Sequence, residues 1–504
     1  MSLMIEELTE DGAVRNRERM QNSRSRTVLS VAFAPVIIFL LGTISTSLYF
    51  WGRDLHRFTQ WLAAYISLFI GQLALYVLAC YVVHRWSDGS SSCKWVTIAL
   101  VILFAGSSRA VLVPQRPYLS SDVYRYVWDG HVQAAGLNPY RYTPEAPELT
   151  GLRDDTIYPN INREDQQWRS PYPPVAQMVF YVIGRIGPMS VTAFKAAMSA
   201  FDLITILLLM LVLARSGIDP ARAIIFAWHP LVIFEGAHSG HIEAVYIAFL
   251  ALAVLAWLRR KQAISGVALA LAALVKFYPA LLLPVFLVVK PADISVTSRS
   301  DEHRANIVSR VINKGNLAML VAFAATVILA YAPYWGVGSN LFAFVRGYAE
   351  EEGFVQSGSR YFLLDTARNL VSIPTAAFLV IAAAWLIAIA VRQGVRVKRD
   401  VSELARGALA LIGTYLLVTT PRYAWYYVWL VPFLCFVPSL GWLYLTCASA
   451  LLYLVWYTPS VYPEVPFWLG SSIYFPALAW LVWEFFKNAK RRKAEPSRAT
   501  VIVR

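Results

Sequence analysis

Charge is scarce in this chain. Only 15% of its 504 residues are Asp, Glu, Lys or Arg and 58% are hydrophobic, whereas an average globular domain is roughly a quarter charged. That excludes an ordinary water-exposed surface. Cysteine is scarcer still: Cys80, Cys93, Cys435 and Cys447 lie in or beside apolar segments with no CxxC spacing, which argues against a disulfide framework or a zinc site. Acids are outnumbered by bases, 31 to 45, for a net charge of +14. The excess does not form a nucleic-acid-binding surface. Much of it falls in Arg259-Arg260-Lys261, Lys290–Lys314, Arg392–Arg406 and Lys487–Arg504, short connectors and a tail that carry the positive-inside signature of membrane proteins.

What is abundant is the apolar block. Ser30–Tyr49, Trp61–Val83, Trp95–Val113 and Leu317–Ala332 each approach the ~20 residues a bilayer span needs. The expected fold is all-α, a polytopic helical bundle of about 12–14 spans with no inverted internal repeat. No signal peptide is evident; residues 1–27 hold five arginines and five acids and read as a cytoplasmic tail. Residues 28–486 form the transmembrane domain, and 487–504 a basic cytoplasmic tail. Placing the basic connectors inside makes 114–190 a first large external loop, acidic on balance over Pro114–Tyr172, and 334–372 a second. Both termini are then cytoplasmic.

Parity makes Pro174–Gly187 a juxtamembrane helix on the outer surface, because a crossing there would put Arg259-Arg260-Lys261 outside. Thr192–Ala214 then runs inward, Ile224–Phe234 outward and Ala244–Leu258 back. Ile264–Val289, interrupted by Lys276-Phe277-Tyr278-Pro279, reads as two short helices around an outer turn. Broken helices at membrane depth persist only when buried in protein or lining a cavity, so a cavity is expected near the outer leaflet.

Three constellations could carry chemistry. The first is Ser120–His131 in the external loop. Its Asp122 could take a proton from a hydroxyl as that hydroxyl attacks an electrophile, or simply pair with Arg125 three residues on. Asp129, seven residues further, is the rival acid, with Tyr124 alongside. The second is His229–Glu243, where His238, His241 and Glu243 could bind a sugar or phosphate, hold a divalent metal, or form a polar helix terminus; the spacing is not HExxH. The third is a set of outer cations, Lys276, Arg360 and Arg422, with Tyr278 two residues past Lys276. They could stabilise a leaving phosphate or snorkel at the interface. Trp425, Tyr426, Tyr427 and Trp429 read more as an interfacial aromatic belt than as a sugar platform.

Ser121–Gly130, Gly136-Leu137-Asn138-Pro139-Tyr140, His229-Pro230 with Glu235, Gly240-His241-Ile242-Glu243, Leu274–Pro279 and Pro421–Pro432 together resemble the GT-C superfamily of polyprenol-phosphate-sugar-dependent glycosyltransferases, in its bacterial mannosyltransferase-like branch. The likeness covers roughly residues 100–435. It implies Asp122 as catalytic base in an inverting displacement. Tyr124, Arg125, Asp129, His238, His241, Glu243, Lys276 and Tyr278 would bind substrate, and Arg360 and Arg422 the donor phosphate. It implies a polyprenyl-phosphate-linked donor, a glycolipid or glycan acceptor and the lipid bilayer as partners, with no cofactor and no metal, on the periplasmic face of the inner membrane. Mannose is the favoured sugar; acceptor, linkage and oligomeric state stay open. One departure is Ile242-Glu243, where many relatives have Asn-Asp or Asp. The competing class is a lipid or sugar transporter or flippase, which needs ionisable residues at mid-membrane; Asp202 is the main candidate for one.

Overall fold

The computed structural model describes residues 33–53, 61–85, 91–287, 313–342, 361–394, 400–457 and 465–494. Among them every regular element is helical. Residues 1–27, most of the Lys290–Lys314 connector, Arg360 and the end of the C-terminal tail lie outside the described residues.

Among the described residues eight helices are long and apolar enough to cross a bilayer. The first three are α1 (Phe33–Trp51), α2 (Trp61–Arg85) and α3 (Ser91–Leu112). Two shorter amphipathic helices follow, α4 (Asp122–Ala134) and α5 (Pro174–Ile186). Next come α6 (Val191–Arg215), α7 (Glu243–Leu258), α8 (Gln262–Ala273) and α9 (Lys314–Tyr331). The bundle closes with α10 (Thr375–Gly394), α11 (Val401–Thr419), α12 (Leu440–Ala448) and α13 (Phe467–Ala494). On α10, Val380, Ile381, Trp385 and Ile387 are 61–68% exposed; an apolar band this bare suits hydrocarbon rather than water. The protein is a multi-pass membrane protein.

Shorter and broken pieces fill the rest. Ile224–Phe234, expected as one outward span, is instead two four-residue helices, Ile224–Ala227 and Pro230–Ile233, followed by a π-helical turn at Phe234–Ser239. Pro230 removes a backbone donor, and the broken stretch survives because all of it but Ile225 is buried. The Ile264–Val289 run breaks as expected, into α8, a 3-10 turn at Tyr278–Leu282 and a short helix at Leu283–Phe286. The final helix runs on to Ala494, carrying the first part of the basic tail in helical form.

Two buried cations tie the broken parts down. Arg109 of α3 pairs with Asp202 of α6 at 3.0 Å and donates to the Ala227 carbonyl at 3.0 Å, satisfying backbone the break leaves open. Asp202 is thus held in an ion pair inside the bundle. Lys195 of α6 donates to the carbonyls of Leu112, at 3.0 Å, and Gln115. It neutralises the negative end of α3 where the polar loop begins.

Helix ends sort by charge. α6, α7 and α10 run into Arg215, Arg259-Arg260-Lys261 and Arg392, and α9 starts at Lys314. The other ends of α6, α7 and α9 lie toward α4: Lys195 beside the end of α3, Glu243 against Lys276, and Tyr334, just past α9, donating to Gln133 at 3.1 Å. α4 and α5 cross closely because Gly130 has no side chain; a Cβ there would sit 2.5 Å from the Phe180 carbonyl oxygen. Tyr126 stacks on Phe180 at 4.8 Å beside that crossing. The first turn of α5 donates through Val175 and Ala176 to the Leu274 carbonyl, at 3.0 and 3.3 Å. The polar loop is thereby docked on the break that carries Lys276.

Candidate active site

Between the polar loop, the Lys276–Tyr278 break and the Arg422–Tyr426 turn lies a cavity of about 780 Å³. Asp122, Tyr124, Lys276, Tyr278 and Arg422, far apart in sequence, all line it.

Asp122 is the first residue of α4, where amide groups and the helix dipole favour a carboxylate. Its backbone amide donates to Ser120 Oγ at 3.2 Å, and Tyr126 donates to Oδ2 at 3.4 Å. The side chain keeps 27% exposure toward the cavity. Burial pushes its carboxyl above the ordinary range, and the Lys276 ammonium pulls the other way. Behind Asp122 stands His241, fully buried, with Nδ1 3.7 Å from Asp122 Oδ2 and 3.9 Å from Glu243 Oε2. Nε2 is 3.4 Å from Glu235 Oε2, and Glu235 Oε1 accepts from Tyr453 at 2.7 Å. The imidazole lies flat on Trp425, centroids 4.2 Å apart. Neither ring nitrogen has a hydrogen bond of good geometry. Buried polar atoms are normally satisfied, so the two ring nitrogens stand out as unsatisfied beside three carboxylates.

Arg125 does not pair with Asp122. Its Nε donates to Asp129 Oδ1 at 2.8 Å, and its other nitrogens hold the backbone carbonyls of Asp165 and, at 3.1 Å, Trp168. Asp129 Oδ2 also accepts from Ser170 and, at 2.9 Å, from Gln177. Both residues are about 97% buried and neither lines the cavity. The i,i+4 spacing beats i,i+3 because it turns both side chains to the face of α4 that meets the returning loop. They clamp that loop's 163–168 segment as the cavity wall.

His238 is likewise turned inward, its ring edge-on to Tyr118 at 4.1 Å, and does not line the cavity. Glu243 lies just behind it, ion-paired to Lys276, whose ammonium is 4.9 Å from the Tyr426 ring centroid. Among the described residues no group of three or more His, Cys, Asp or Glu is arranged to hold a metal ion. The belt reading of the aromatic run gives way to burial. Trp425 and Tyr426 line the cavity, Tyr423 stacks on Trp425 at 4.4 Å, and Tyr427 and Trp429 are core.

Several cavity residues escaped the sequence reading: Arg116, Arg163, Glu164, Asp165 and Trp168. Burial, with the nearby Asp122 charge, pushes the Asp165 carboxyl up to about 7. The run Asn162-Arg163-Glu164-Asp165 was visible as a polar patch, but nothing local told it from any solvated loop. Glu235 was noticed only as part of a motif; its contact with Tyr453, more than two hundred residues away, is a product of the fold.

No curated protein and no solved structure matches the chain. Residues 171–421 match the model of glycosyltransferase family 87. Residues 31–292, just over half of the chain, match the model of the alpha-(1->6)-mannopyranosyltransferase N-terminal domain, and that span contains α1 to α8, the polar loop with Asp122, and Lys276. The chain therefore belongs to the alpha-(1->6)-mannopyranosyltransferase family and is a mannosyltransferase-like membrane glycosyltransferase of the GT-C type.

Proposed function

We propose that the protein transfers a hexose, mannose first among candidates, from a polyprenyl-phosphate donor to a hydroxyl of a glycolipid or glycan acceptor, with inversion. Asp122 takes the proton of the acceptor hydroxyl. The freed oxygen electron pair attacks the anomeric carbon, and the bond to the phosphate oxygen breaks with its electrons leaving on the lipid phosphate. Lys276 and Arg422, on the cavity wall, meet the charge that builds there. His241, backed by Glu235 and Glu243, stands where it can hold Asp122 and share its proton. Positioning, one base and cationic stabilisation suffice for such a displacement.

The observation that carries this reading is a single cavity joining a partly exposed carboxylate to two cations, lined with aromatic rings, in a membrane bundle. The basic helix ends opposite the cavity support a site on the periplasmic face. The family description names an α-(1→6) mannosyl product, which inversion of a β-linked donor would give. The test is to incubate purified protein with polyprenyl-phosphate-linked mannose, glucose, galactose and arabinose, and in parallel with the nucleotide sugars. Consumption of a polyprenyl-phosphate sugar, with an inverted product by NMR, is expected. Turnover of nucleotide sugars alone, or a retained anomer, overturns the proposal.

A further inference from the structure

At the opposite end of the bundle a second cavity, of about 520 Å³, opens between α11, α12 and α13. Its walls are apolar, with Leu409, Leu434, Trp442 and Leu443 among them, while Arg406 and Lys487 stand at it as cations. The one acid there is already engaged. Glu484 accepts from Ser439 Oγ at 2.7 Å and from the Leu440 amide at 2.6 Å, capping α12. Lys487 Nζ lies 4.3 Å from the Trp483 ring centroid, a cation–π contact, and no acid among the described residues pairs with it. Arg406 is exposed, and no ion pair or hydrogen bond engages it among the described residues. An uncompensated guanidinium and an ammonium beside an apolar slot match one occupant: phosphate at the mouth, hydrocarbon within.

We infer that this cavity is a binding site for an anionic phospholipid, with Arg406 and Lys487 on the headgroup and an acyl chain along Leu409, Trp442 and Leu443. The chemistry is that of basic pockets between membrane helices on the cytoplasmic side. It is independent of the transfer reaction, since none of these residues lines the Asp122 cavity.

The experiment is native mass spectrometry of the full chain released from nanodiscs holding equal amounts of phosphatidylglycerol and phosphatidylcholine. Wild type is expected to retain phosphatidylglycerol preferentially. The preference should fall about fivefold in Arg406→Gln or Lys487→Gln and roughly 25-fold in the double variant, following ~1 kcal/mol per charge. Thermal unfolding checks that the variants fold. Lys487, on the exposed side of the last helix, keeps the test open if Arg406→Gln does not. Equal retention of the two lipids, retention of neither, or a preference unchanged in the folded variants overturns the assignment. A preference restored by adding inorganic phosphate in place of lipid is not expected, and competition by free phosphate would mark an ion site instead.

Discussion

Asp122 and Asp129 stand two turns apart on α4, on nearly the same helical face, and meet opposite surroundings. Asp129 accepts from Arg125, Ser170 and Gln177, so its oxygens are occupied. Asp122 has one long hydrogen bond from Tyr126 and faces a cavity. The residue type is identical; what separates scaffold from candidate base is whether the fold brings donors to the carboxylate or leaves it room. Asp129 fixes where the 163–168 wall stands, and Asp122 lines the same cavity as that wall.

Exchanging the two acids for neutral residues should separate these roles. The largest effect is expected from Asp122→Asn. A general base contributes about 10²- to 10⁴-fold, so sugar transfer should fall by that factor with the thermal midpoint unmoved. Near wild-type transfer in the folded variant would remove Asp122 from the mechanism and dissolve the contrast. Asp129→Ala should show the reverse pattern. Breaking a buried ion pair costs about 3–5 kcal/mol, so the expected outcome is a markedly lower midpoint in thermal or denaturant unfolding. Any loss of transfer should track the unfolded fraction. A midpoint equal to wild type would mean that the clamp holds nothing.

The membrane class, the break at Lys276 and the polar loop were legible because they rest on local signals: apolar run length, a proline after a short helix, a dense run of polar residues. The division between Asp122 and Asp129 was not. Both sit in one twelve-residue patch, and a helical spacing alone pairs Arg125 with either acid. Only the returning loop and α5, through Ser170 and Gln177, decide for Asp129. The same reason hid Arg109 and Lys195. Each looks like a stray charge in an apolar run until its acceptors, Asp202, Ala227 and Leu112, arrive from other helices. Ile224–Phe234 shows the converse error. Its composition suits a span, yet the chain breaks there because buried neighbours supply what the helix gives up.

The smallest and sharpest test concerns Lys276, which touches only one side of the comparison. A base must be ionised to act, so transfer falls as pH drops through the Asp122 pKa. That pKa is raised by burial and held down by the Lys276 charge. Lys276→Gln removes the opposing charge and also leaves Glu243 without its cation. Both changes add negative potential at Asp122, and both move the acid limb of kcat/KM to higher pH. On the alkaline plateau a loss of roughly tenfold is expected, the lower end for one charge-assisted contact to donor phosphate. Lys276→Arg should keep the limb in place even if the plateau drops, since charge and not shape sets it. An acid limb that stays put in Lys276→Gln, with the plateau reduced, would confine Lys276 to the donor. The Lys276 charge would then not be what holds the Asp122 pKa down against burial.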